Sequence, residues 1–308
     1  MVGAAPATAP AEAERSTWTQ TRQSESCCTS RAGDRSSSVS ALTDLLVRIK
    51  GYYQRTASRT LARREVTMQN ERPLISFTFD DFPRSALFAG GALLEQSGVT
   101  GTYYASFGLM EKVAPTGEIF HRSDVGVLLD HGHELGCHTF AHCHSYDTSA
   151  DEFERSVLKN RHVLHAVAPE ARFETMSYPI SCARPGTKRR CAKYFSACRA
   201  GGQTFNVGTI DLNHLSAFFI EQSRDNPDAI TGMIEETCRA RGWLILATHD
   251  VCDDPTPYGC TPNLFESMLR YAVKSSASVV PMREALRHLG VMSVFRPTIH
   301  ITKCRPEA

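Results

Sequence analysis

Beyond residue 71 the chain alternates short apolar runs with longer stretches of helical period. Residues 74–79, 102–107, 134–137, 173–178, 205–209, 243–248 and 278–281 are rich in apolar, aromatic and β-branched residues and short enough to be buried strands. Between them, residues 84–96, 123–131, 149–167, 188–198, 227–241, 262–274 and 282–289 read as helices. Ser149 with Glu152 three residues on is a capping-box signature, and Gly98 follows the first of these helices as a stop. Strand then helix, repeated about seven times, predicts an α/β domain on a parallel sheet, open or closed into a barrel.

The flanks read differently. Residues 1–40 are rich in Ala, Pro, Ser, Thr and Arg without a sustained apolar period, a composition that does not offset its own ordering entropy, and we expect a disordered tail there. Residues 41–71 form a basic helical linker, whose Leu42, Leu45, Leu46, Val47, Ile49, Tyr52 and Tyr53 either pack on the domain, the expected case, or lie on a membrane surface. The catalytic domain is then 72–290, with a C-terminal extension over 291–308.

Charge and cysteine usage narrow the classes. Lys and Arg total 34 against 33 Asp and Glu, a formal charge of +1, so nothing draws the chain toward nucleic acid, and a neutral substrate suits that balance. No apolar run is long enough to span a bilayer, and the N-terminus lacks the basic start and apolar core of a secretory signal, which points to a cytoplasmic protein without an integral membrane segment. The 11 cysteines are scattered and odd in number, and are expected to be mostly reduced. Pairs flanking loops, Cys252 with Cys260 and Cys182 with Cys191, would be the local bridges in an oxidising compartment.

Residues able to do chemistry cluster where the predicted strands end, which in parallel α/β folds is where the loops converge on a ligand. Asp80 and Asp81 follow 74–79, His138 and His142 follow 134–137, Ser177 to Ser181 close 173–178, and His249 and Asp250 follow 243–248. Adjacent carboxylates on an extended segment point apart, so one Asp can ligate a cation while the other stays free as a base. His138 and His142, four apart, come to one side on a helical turn. With one Asp they make a two-histidine, one-carboxylate set suited to zinc or another divalent metal. A structural zinc on Cys137, Cys143 and the neighbouring His133, His138, His142 or His144 is the rival, though no Cys-x-x-Cys pair accompanies it. His249 could equally be a satisfied core histidine; its strand-end place beside Asp250 favours catalysis.

These segments resemble the polysaccharide deacetylase family, also called the NodB-homology group or carbohydrate esterase family 4, over about residues 72–289. Ser-Phe-Thr-Phe-Asp-Asp (76–81) is similar to its first motif, Gly-His-Glu-Leu-Gly-Cys-His-Thr-Phe-Ala-His (132–142) to its second, and Leu-Ile-Leu-Ala-Thr-His (244–249) to its last. The resemblance implies a distorted (β/α) barrel of about seven strands, with Asp80 as general base, His249 as general acid, and Asp81, His138 and His142 as ligands of a divalent metal, zinc first and cobalt or another ion next. The third motif departs from the family, reading Met176-Ser177-Tyr178-Pro179-Ile180-Ser181 with Ser177 in the place of an arginine that braces the base. Arg172 or Arg184 would then replace it, the backbone of Ile180 would donate to the oxyanion, Tyr178 would border the substrate, and Asp211 would tune His249.

The function implied is hydrolysis of an N-acetyl or O-acetyl group of a glycan, with a chitooligosaccharide of the kind used in nodulation-factor synthesis favoured. Two alternatives stand beside it. One is a non-catalytic glycan-binding protein on the same barrel, motivated by Ser177. The other is a ureide or cyclic-amide metal hydrolase.

Overall fold

The computed structural model describes residues 36–291, with side chains from residue 45 onward. Of the tail expected over 1–40, residues 1–35 lie outside the described residues, as do residues 292–308 of the extension expected over 291–308. The chain divides after Leu46. The first unit contributes to the description only the opening of helix α1 (Ser36–Thr60), which starts inside the stretch expected to be a tail.

The second unit holds the barrel. Its strands are β1 (Leu74–Phe79), β2 (Thr102–Ala105), β3 (Glu134–Cys137), β4 (Thr175–Ser177), β5 (Ala197–Arg199), β6 (Phe218–Phe219), β7 (Trp243–Thr248) and β8 (Ser278–Val279). They run in the order β6-β7-β1-β2-β3-β4-β5, all parallel. The edge of β1 away from β7 is shared, with β8 pairing at Leu74 and Ile75 and β2 at Thr78 and Phe79. Between β5 and β6 the ring is distorted: one parallel pairing, Arg199 with Leu215, stands where a full ladder would be. Helices α2 (Ala92–Gln96), α3 (Arg122–Asp130), α4 (Ala150–Val167), α5 (Pro185–Cys191), α6 (Pro227–Ala240), α7 (Pro262–Lys274) and α8 (Met282–His288) complete the unit. Ser149 caps α4 in the expected box with Glu152. No helix among the described residues is long and apolar enough to cross a membrane.

Alternation along the strands sorts two cores. Ile75, Phe77, Phe79, Tyr103, Leu244 and Leu246 belong to the core under the helices, whereas Leu74, Tyr104, Ala197, Trp243, Ile245 and Ala247 make a second, inner cluster. Ser76 shares that inner face, accepting a hydrogen bond from the Trp243 indole at 3.0 Å. Side chains of this parity fill the barrel interior, and the last ones on each strand reach its mouth.

Two sequence expectations are corrected here. Residues 205–209 are not a barrel strand: Asn206 pairs singly and antiparallel with Trp243, and the strand proper begins only at Thr209, after Gly208 at φ +68°, pairing Thr209–Asp211 antiparallel with Glu65–Thr67. Nor does a helix run over 188–198. It stops at Cys191, and Ala197–Arg199 is β5, whose three residues are too few to show a period.

The end of α1 is fixed to the barrel by a buried lysine. Lys188 spends all three ammonium protons, on the carbonyls of Ser58 and Leu61 at 2.7 and 2.8 Å and on Asp211 Oδ2 at 2.8 Å. Further toward the N-terminus α1 is wetter, with Val47, Ile49, Tyr52 and Tyr53 exposed.

Candidate active site

Parity carries Asp80 from β1, His138 from β3, Ser177 from β4, Arg199 from β5 and Phe219 from β6 to the same inner mouth, and His249 follows β7. The strand ends are pinned together: the Asp80 N–H donates to the Thr248 carbonyl at 2.9 Å, and the His138 N–H to the Ala105 carbonyl at 3.0 Å. Several residues there hold positive φ, which is uncommon for side chains larger than glycine. Asp81, Phe82, Thr139, His142, Ile180 and Ser181 all do so. Such backbone concentrates where side chains must be aimed rather than merely packed.

The turn at Asp81, φ +61°, separates the two carboxylates. Asp81 Oδ2 accepts from the Thr116 hydroxyl at 3.0 Å, while its Oδ1 is buried without a hydrogen-bond donor. Around that oxygen stand His138 Nε2 at 3.6 Å and His142 Nε2 at 3.3 Å. One ligand atom from each residue lies within 4.8 Å of the others. A buried carboxylate oxygen facing two imidazole nitrogens is a donor set for a divalent cation. His138 Nδ1 donates to the Ser177 carbonyl at 2.9 Å, which fixes the tautomer and leaves the Nε2 lone pair available to a cation. Burial pushes the His138 imidazole down to about 4, so it is neutral at ordinary pH.

Asp80 is braced from a strand that the sequence reading missed. Its Oδ1 accepts from the Ser177 hydroxyl at 3.1 Å and from the Arg199 guanidinium, which also donates to Ser177 Oγ. Arg199 is fully buried, with its guanidinium 5.3 Å from the Tyr104 ring centre and 5.4 Å from that of Phe219. This corrects the expectation that Arg172 or Arg184 replaces the missing arginine. Burial alone would raise the Asp80 carboxyl, but Arg199, with His138 and His249, overcomes it and holds the group well below the usual carboxylate range.

His249 is half-exposed rather than a core histidine, and its Nδ1 lies 3.1 Å from the Tyr258 carbonyl. A carbonyl only accepts, so Nδ1 carries the proton of that bond and Nε2 is the nitrogen that this bond leaves free. The loop presenting Tyr258 is tied by Asp250, which accepts from the Thr256 N–H at 2.8 Å and the Thr256 hydroxyl at 2.5 Å. It also requires Gly259, where a Cβ would clash with the Asp250 carboxylate.

The remaining expectations divide. Asp211 is not placed to tune His249: its carboxylate is occupied by Lys188 and by the N–H groups of Arg64 at 2.8 Å and Asn213 at 2.9 Å. Besides Asp80, the carboxyl that feels His249 is Glu221, just past β6, raised to about 7 by burial with His249 pulling the other way. Tyr178 does not border the mouth, since its ring is buried in the helix-side core against Phe153. Ile180 is 55% exposed and left-handed at φ +58°, a strained setting for a β-branched residue that leaves its backbone at the surface of the mouth. The rival structural zinc has no cluster among the described residues. His133 lies between the Gly101 N–H and Glu95, Cys137 accepts from Asn160, and His144 pairs with Asp147. The eight described cysteines are free.

The polysaccharide deacetylase family model matches residues 67–195, a stretch that contains Asp80, Asp81, His138, His142 and Ser177. Over that stretch the chain is similar to the polysaccharide deacetylase family. That likeness supports a hydrolase of amide or ester bonds. Solved deacetylase-like structures share the fold at low identity. A family 4 acetyl xylan esterase from Clostridium thermocellum, in complex with a cobalt ion, is 19% identical, with TM-score 0.51 over 71% of this chain and 93% of that one. The family 4 domain of a multidomain xylanase from the hindgut metagenome of Trinervitermes trinervoides is 14% identical, with TM-score 0.51 over 74% and 96%. A mutant of a family 4 pseudoenzyme is 14% identical, with TM-score 0.51 over 71% and 68%. No curated protein matches this chain. Because active and inactive proteins share the deacetylase fold, the case for chemistry rests on the residues at the mouth.

Proposed function

We propose that this domain hydrolyses acetyl groups from a glycan, with Asp80 as general base, His249 as general acid and a divalent cation on Asp81, His138 and His142. The observation that carries the reading is Asp80: an ionised carboxylate, buried and held by Ser177 and Arg199, beside a cation donor set it does not join. A non-catalytic binding protein has no use for that arrangement. The arginine supplied by β5 also removes the motive for reading Ser177 as a sign of lost activity.

A cation bound there would supply Lewis-acid polarisation of the acetyl carbonyl and a water easier to deprotonate. Asp80 accepts a proton from the attacking water as its oxygen bonds to the acyl carbon. The backbone N–H of Ile180 donates to the carbonyl oxygen as it gains charge. Nε2 of His249 gives a proton to the leaving nitrogen or oxygen as the acyl bond breaks, so acetate departs with a free amine or hydroxyl. Arg199 and Ser177 keep Asp80 aimed throughout. Glu221 steadies the positive charge of His249 before the proton is given up.

We take N-acetylglucosamine oligomers as the first substrates and zinc as the first metal, with cobalt and O-acetylated xylan beside them. Purified protein loaded with either ion should release acetate from at least one of these, and Asp80→Asn should lower kcat by about 100-fold or more. Absence of acetate from the whole panel, with the ion shown to be bound, would overturn the reading.

A further inference from the structure

A cavity of about 280 Å³ opens beside the mouth, lined by residues that include Arg55 and Arg59 of α1, Ser181, Gly202, His214 and Phe219. It adjoins the catalytic groups through its own walls. Ser181 follows Ile180, Gln222 of the lining follows Glu221, and the Phe219 ring faces the Arg199 that holds Asp80. No carboxylate lines it, and among the described residues neither Arg55 nor Arg59 is in an ion pair. Both guanidinia act on Cys182 in the same wall: burial raises its thiol and the two charges oppose that rise. His214 adds no charge of its own, because burial pushes its imidazole down to about 4 and leaves it neutral.

The floor is bare by necessity. Gly202 sits at φ +154°, and a Cβ there would fall 2.9 Å from Ser216 Oγ and 3.5 Å from the Arg59 guanidinium. At Gly201 it would meet Ser181 at 2.9 Å. The two glycines thus keep backbone low beneath two unpaired cations.

We propose that this cavity is a subsite for an anionic substituent of the glycan, carried on a sugar next to the acetylated one. The proposal rests on the deacetylase reading for the identity of the ligand as a glycan. It gives α1, which lies before the family match, a role in choosing substrate. Two guanidinium forks suit an oxyanion, and their exposure means that recognition weakens with salt. A charged substituent engaged there would orient the chain across the mouth and leave the chemistry at Asp80 unchanged.

The test uses acetyl-free ligands, so that binding is read apart from turnover. Calorimetry on the full chain compares cellotetraose, tetragalacturonate and a sulfated cellotetraose. Tetragalacturonate should bind at least about tenfold more tightly than cellotetraose at low salt, and Arg55→Gln/Arg59→Gln should remove the difference. Arg55→Lys/Arg59→Lys, which keeps the charge, should restore part of it. Equal gains from sulfate and carboxylate identify a general oxyanion site; a gain from only one of them names that anion. Equal affinity for all three ligands overturns the proposal, as does a difference that survives in the Gln variant while its melting temperature is unchanged. Arginine-dependent anion binding without acetate release from any glycan would leave the subsite standing and remove the deacetylase reading instead.

Discussion

The two sides of the barrel mouth were built by different rules. On one side, Asp81, His138 and His142 come from two short segments, and each lies within a few residues of a strand end. On the other, Asp80 depends on Ser177 from β4 and Arg199 from β5, so the brace of one carboxylate spans three strands distant in sequence. The donor set can be read from spacing because the chain itself brings the two imidazoles together. The brace is defined only when the sheet order places β4 and β5 side by side and alternation turns Arg199 inward.

Removing the donor set tests that comparison most severely. His138→Ala, or dialysis against a chelator, should lower acetate release by about 1,000-fold or more, and added zinc or cobalt should restore the dialysed protein but not the variant. Direct metal analysis accompanies the assay. Full activity in metal-free protein would mean that the buried Asp81 oxygen serves some other purpose.

The brace is tested next. Arg199→Met should reduce kcat by about 100-fold while bound metal stays unchanged, separating the two sides functionally. It also leaves Asp80 buried without its partner, which costs about 3–5 kcal/mol of stability. Adding Asp80→Asn to Arg199→Met should recover much of that loss in denaturant unfolding. If the double variant is as unstable as the single one, packing against Tyr104 and Phe219 is what Arg199 contributes.

Most of the fold was legible from pattern. Residues 74–79, 134–137 and 243–248 were long or apolar enough to be bounded correctly, and Ser149 capped the helix it was expected to cap. What escaped was short: Ala197–Arg199 has no β-branched residue, and its small side chains blend into the helix before it. That single misreading hid the arginine. A signal was available, because a basic residue closing an Ala-Cys-Arg run in a strand-and-helix alternation is an unusual strand end. Tyr178 and Asp211 failed for another reason: proximity to a motif says nothing about which face a side chain takes. Tyr178 turned into the core, and Asp211 was taken by Lys188.

Glu221 sharpens the comparison from the acid side, with a smaller effect. Burial raises it from 4.5 to about 7, so the stability it contributes is fully present below the unfolded value and is lost as pH rises through about 7. Wild type should therefore lose about 1–3 kcal/mol relative to Glu221→Gln between pH 5 and pH 8, measured by denaturant unfolding. Turnover should change only several-fold, because His249 keeps its bond to Tyr258. Parallel stability curves for the two proteins would remove Glu221 from the site.

Asp211 should affect turnover least of all, although it is the carboxylate first expected to tune His249. Its partners are Lys188 and two backbone N–H groups, and the Lys188 ammonium in turn holds the end of α1. Asp211→Asn strands a buried cation and should cost about 3–5 kcal/mol in unfolding measurements. At a temperature where the variant remains folded, its kcat and the pH dependence of kcat should match wild type. A displaced alkaline limb with unchanged stability would reverse the assignment, returning Asp211 to the acid and taking the anchoring of α1 away from it.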